Sequence, residues 1–160
     1  MMNNLVKIGL TGLLLVAACR KSTHDAWPTA SAFVGKAWRL EAIRPLAPTD
    51  LNGDGQAEAN ILPLLDACER DDRLTFAANG HFHSDRGAAR CSPNEAPEAP
   101  GGTYRFLAKT RTILLSDWSA PGTSREWTVI ETSGDHLRVR TVFDLPDRSP
   151  LTAELIFTTN

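Results

Sequence analysis

From Val34 onward, apolar residues recur at every second position in short runs, and this period of two limits the fold more than any other feature. Trp38, Leu40 and Ala42 alternate with Arg39 and Glu41, so one face of an extended segment turns to a core and the other to water. Further candidate strands are Leu74 to Phe76, Thr103 to Ala108, Thr112 to Ser116, Arg125 to Glu131, Leu137 to Phe143 and Leu151 to Thr158. Asn79-Gly80, just before Phe82, predicts a two-residue hairpin, because both residues tolerate positive φ. Lys109-Thr110, Ser133-Gly134-Asp135 and Leu145 to Pro150 are also short breaks, so each run pairs most readily with the next.

The expected fold is all-β, an antiparallel up-and-down meander of about eight strands that loses its two sticky edges by closing into a barrel. Alternation makes Trp38, Phe106, Trp127 and Phe143 candidates for the barrel interior or for facing a ligand, with Val129, Leu137, Val139, Leu155 and Phe157 also inward. A short helix or helical turn is expected over Ile61 to Ala67, where Ile61, Leu64 and Leu65 share a face and Pro63 suits a first turn.

The N-terminus has a different character. Lys7 precedes an apolar stretch, Ile8 to Ala18, which is too short for a lasting transmembrane helix of about 20 residues and reads as a signal peptide. It ends in Val16-Ala17-Ala18-Cys19, which resembles the lipobox of bacterial lipoproteins, where cleavage precedes the cysteine and lipid is attached to it. The resemblance implies a chain anchored in a membrane through lipid on Cys19. Arg20 stands where an aspartate favours inner-membrane retention, which points to the outer membrane of a bacterial envelope. The chain thus divides into a signal peptide over residues 1–18, a tether over 19–33 that includes Trp27, and a barrel domain over 34–160.

Cleavage removes Lys7 alone among the charged residues, so 17 basic and 19 acidic residues become a mature charge near −3. With no basic cluster beside an aromatic platform, nucleic acid is not an expected partner. If Cys19 carries lipid, Cys68 and Cys91 remain, and outside the cytoplasm one disulfide between them is the simplest pairing.

The mature domain as a whole resembles the bacterial lipocalin-like lipoproteins. The resemblance is carried by the lipobox, Gly35-Lys36-Ala37-Trp38, Asp50 to Gly55, Cys68-Glu69-Arg70-Asp71-Asp72, Phe76 to Gly80, Cys91 and Gly102-Thr103-Tyr104. One more residue separates Gly35 from Trp38 than the lipocalin Gly-x-Trp pattern has, so Trp38 is the position carried over. The resemblance implies a barrel closed at one end by that tryptophan, and implies no activity.

Oxygen-bearing side chains at Asp50, Asn52 and Asp54, with Gly55, Gln56 and Glu58 following, reproduce the first nine positions of a calcium loop. Ile61 stands where the bidentate glutamate belongs, so the same residues also suit a solvated turn with no metal. If calcium binds, its expected role is structural. His81, His83 and Asp85 share one side of a strand, but Phe82 claims the interior, which leaves them facing solvent. Asp71 and Asp72 are adjacent and point apart, unlike a glycosidase pair. No nucleophile elbow, phosphate loop or dinucleotide fingerprint occurs. The expected function is therefore non-enzymatic: a tethered barrel holding a small apolar or amphipathic ligand. The alternative is an envelope interaction module with an envelope protein as partner, its barrel plugged by four tryptophans and six phenylalanines.

Overall fold

A computed structural model describes residues 29–118, 121–145 and 149–159. The expected signal peptide, Cys19 and Trp27 lie outside these residues.

Eight strands run in sequence: β1 (Ala37–Pro45), β2 (Arg73–Phe76), β3 (His81–Asp85), β4 (Glu98–Leu107), β5 (Thr112–Asp117), β6 (Ser124–Thr132), β7 (His136–Phe143) and β8 (Leu151–Thr158). Each pairs antiparallel with the next, and β1 pairs with β8, so the sheet closes on itself. This is the expected up-and-down barrel, and closure leaves no edge strand exposed. Trp127, Val129, Leu137, Val139, Leu155 and Phe157 are buried in its core, while Phe106 and Phe143 pack against that core half-buried.

Three local features differ from the sequence expectation. In β1 the pairing shifts between Leu40 and Ala42, which inserts an extra residue at Glu41. The bulge flips the alternation, so Ile43 joins the core cluster in place of Ala42. The β2–β3 hairpin has three loop residues rather than two. Ala77 and His81 are joined by an N–H to O bond of 2.8 Å, the Gly80 N–H closes the turn on the Ala77 carbonyl at 3.1 Å, and only Gly80 takes a positive φ, of 84°. Finally, β4 begins at Glu98, five residues before its expected start, and carries Pro100 at a register shift opposite Phe82 and His83.

The expected helical turn is present in two pieces. Leu62–Leu64 form a 3₁₀ turn with Pro63 in its first positions, and Ala67–Arg70 form a one-turn helix, α1. Asp66 caps α1 in a capping box with Glu69, which satisfies donors that a four-residue helix cannot pair internally.

One end of the barrel is closed by residues that the sequence reading assigns to the tether. Ala30–Ala32 form a 3₁₀ turn, and Phe33 behind it is fully buried. The Phe33 ring meets Phe76 at 5.2 Å, Phe106 at 5.4 Å and Tyr104 at 6.1 Å, all edge-on. The packed domain therefore includes residues before Val34. Lys36 fastens the same end, donating to the Gly134 carbonyl at 2.7 Å and to the Ala32 carbonyl at 2.9 Å.

Candidate functional site

Among the described residues, the other end of the barrel is open. There, where β1, β3, β5 and β7 end and β2, β4, β6 and β8 begin, two cavities of about 250 and 410 Å³ adjoin. They share Leu74, Ser84, Arg125 and Trp127 in their walls, so they form one branched space inside the mouth.

The floor of this space is apolar. Trp38, Leu155, Phe143 and Phe157 line one branch, and Phe82 and Leu115 line the other. Trp127 stacks on Phe157 at 5.6 Å with an interplanar angle of 29°, which holds both rings flat along the wall. Of the four interior candidates, Trp38, Trp127 and Phe143 border the cavity, whereas Phe106 packs on Phe33 at the closed end and borders neither branch.

Above the floor sits a polar collar that the sequence reading does not identify. Strand alternation turns Ser84 on β3, Asp117 on β5, Arg125 on β6 and Thr141 on β7 toward the lumen, in step with Phe82, Leu115, Trp127 and Val139. The signal was available: Arg125 precedes Trp127 by two residues, so whatever turns the tryptophan inward turns the arginine inward as well. Arg125 pairs with Asp117 at 3.7 Å, and Arg86 lies 3.0 Å from Asp72 and 3.6 Å from Glu95. Burial pushes the Asp72 carboxyl above the usual carboxylate range, and the Arg86 guanidinium offsets part of that rise.

One stretch of this rim is α1 with the residues that follow it, and polar links and a disulfide fasten it. Cys68 and Cys91 are joined, with Cα atoms 5.2 Å apart. The Asp71 carboxylate accepts the Ala88 and Ala89 backbone N–H groups at 2.7 and 2.9 Å, and those two bonds hold its pKa below the ordinary value. Asp71 and Asp72 thus point to different partners, as adjacent residues should. Glu69 and Asp72 border the cavity, so whatever holds this segment also shapes the mouth. No residue of α1 is buried, so its hold on the barrel comes mainly from these links.

The acidic loop lies apart from the cavity. Asp50, Asp54 and Glu58 each bring an oxygen within 4.8 Å of the others. Asp50 accepts the Gly53 and Gly55 N–H groups at 2.6 and 2.9 Å, and Glu58 accepts the Leu51 N–H at 3.0 Å. Asn52 donates its side-chain amide to Asp54 at 3.1 Å, and the Gln56 backbone N–H donates to Asp54 at 2.7 Å. Three of the five candidate ligands therefore converge through carboxylates, with Asn52 adjacent and the Gln56 side chain exposed. Gly53 and Gly55, at φ 79° and 85°, provide turns that other residues adopt only with strain.

His81, His83 and Asp85 lie on the outer face of β3, with the His81 ring 5.4 Å from that of Trp118. They are not among the described side chains grouped closely enough to hold a metal ion.

No known family model matches the chain, and no curated protein matches it in sequence.

Proposed function

We propose that this chain is a lipid-anchored, lipocalin-like protein of the bacterial envelope that binds one small amphipathic molecule in the open end of its barrel. The observation that carries the reading is the arrangement of the mouth. An apolar floor of Trp38, Trp127, Phe157 and Leu155 lies beneath a collar of Ser84, Arg125, Asp72 and Thr141. A hydrocarbon group on the floor replaces water against aromatic rings, while the polar collar keeps a head group solvated or hydrogen-bonded. The space of about 250 Å³ in one branch and 410 Å³ in the other is of the size that small-molecule sites occupy. Anchoring at Cys19 and an outer-membrane location rest on the lipobox and on Arg20. The site is built for holding a molecule, and the reading is of a binding protein rather than an enzyme. Protein extracted gently from native envelopes and analysed by native mass spectrometry should carry a small-molecule adduct that is lost on denaturation. Protein of the bare polypeptide-plus-lipid mass alone would favour the alternative, a plugged interaction module.

A calcium ion is proposed as a structural cofactor of the loop over residues 50–58. Convergence of the Asp50, Asp54 and Glu58 carboxylates in an exposed loop supports this, because a hard divalent cation neutralises their repulsion. Asn52 and the Gln56 carbonyl would add two further oxygens to the shell.

A further inference from the structure

We infer that Arg125 is the residue that selects the ligand's head group, and that this head is a single carboxylate on an apolar tail. The inference rests on the binding role proposed above and adds the chemistry of the occupant. Arg125 borders both branches of the cavity, so a head held there can send its tail down either. Directly below it on the same face of β6 is Trp127, stacked on Phe157, which gives the first carbons of a tail an aromatic wall. A guanidinium presents a planar fork that matches a carboxylate with two parallel hydrogen bonds.

Among the described residues, the two cations of the collar differ in how they are held. Arg86 sits between Asp72 at 3.0 Å and Glu95 at 3.6 Å, with its side chain one-third exposed. Arg125 is 65 % exposed and meets Asp117 at 3.7 Å, a separation longer than a hydrogen bond and open to solvent screening. An incoming carboxylate therefore exchanges a long, solvent-exposed pair for a forked one. The surrounding acids set the charge of the head. Glu69, Asp72 and Asp117 border the cavity alongside the two arginines, so a doubly charged phosphate meets more repulsion than a carboxylate does.

The test is calorimetric titration of disulfide-intact protein with decanoate, decyl phosphate and decanol, on the native chain and on Arg125→Gln. The native protein should bind decanoate about tenfold or more tighter than decanol, and tighter than decyl phosphate. Arg125→Gln should bring the affinity for decanoate down to that for decanol. Equal affinity for decanoate and decanol, or a preference that survives Arg125→Gln, overturns the role of Arg125 and leaves the cavity reading intact. Tighter binding of decyl phosphate overturns the single-charge claim. Failure of all three to bind native protein overturns the cavity reading together with this one. The melting temperature of Arg125→Gln, expected to be unchanged because the side chain is exposed, separates these outcomes from misfolding.

Discussion

The Trp38 indole N–H donates to the Phe33 carbonyl at 2.8 Å, and both residues are fully buried. This bond joins the first strand of the barrel to the plug that closes it. Trp38→Phe removes the donor and leaves a buried carbonyl without this partner, at a cost of about 1–3 kcal/mol, and the lost ring volume adds to it. Trp38→Ala should cost about 3–5 kcal/mol. Chemical denaturation of the two variants checks the order, and a Trp38→Phe variant as stable as the native chain would show that the bond contributes nothing.

Reduction of Cys68–Cys91 should loosen the mouth more than the core. The disulfide closes a loop with a sequence separation of 23, for which chain entropy gives a stabilisation of about 3 kcal/mol. Because Glu69 and Asp72 border the cavity, freeing α1 should also expose Trp127 and Trp38 to a small quencher. Acrylamide quenching of Cys68→Ser/Cys91→Ser against the native protein, at a temperature where both are folded, reads this directly. Identical quenching would assign the disulfide to global stability alone.

Asp71 should give the fold an acid-sensitive component. Its native pKa is held down, chiefly by the Ala89 and Ala88 N–H groups, so its contribution is complete above the ordinary carboxylate value of about 3.9 and is lost as pH falls through the lower native value. Asp72 has the opposite sign. Its raised native pKa means that protonation favours the folded state as pH falls through that value. The gap in urea midpoint between the native chain and Asp71→Asn should therefore be full at pH 7 and shrink in the acid range below the ordinary carboxylate value. A gap independent of pH would contradict the assignment.

Gly102 should tolerate no side chain. A Cβ there would run into the backbone of Ser116 on the neighbouring strand, and backbone at a ladder position cannot step aside. Gly102→Ala should cost about 3 kcal/mol or more, read as a lowered denaturation midpoint, whereas Gly134→Ala, which meets open space, should be nearly neutral. Similar stabilities of the two variants would contradict this packing.

Much of this architecture is legible in the sequence because a period of two runs through β5, β7 and β8. Leu137, Val139, Leu155 and Phe157 face inward as the alternation says. The failures have local causes. One extra residue at Glu41 reverses the inside and outside of β1, and no composition marks it. Ala99-Pro100-Gly101-Gly102 has the residues of a loop but lies in β4, where a register shift accommodates the proline. Phe33 follows a run of small residues and looks like linker, yet long-range ring contacts make it core. At the mouth, Arg125 shares the parity of Trp127, and only closure of the barrel shows that a lumen position near a strand end can be wet. The disulfide was legible from cysteine count, while the cavity depends on how side chains fill space.

Calcium should bind the loop of residues 50–58 and raise stability by linkage. Titration of metal-stripped protein with calcium should give one weak site that Asp50→Ala and Asp54→Ala abolish, with the barrel still folded and magnesium a poor substitute. No heat at millimolar calcium would return the loop to an ordinary turn.

The central claim is that the open end of the barrel holds an amphipathic molecule, and tryptophan quenching tests it most directly. Trp38 and Trp127 line the cavity, whereas Trp118 is on the surface. A decanoate brominated along its chain should therefore quench part of the fluorescence saturably, at one molecule per chain, and unbrominated decanoate should reverse it. Quenching that rises linearly with concentration and is not reversed by competition would contradict the account.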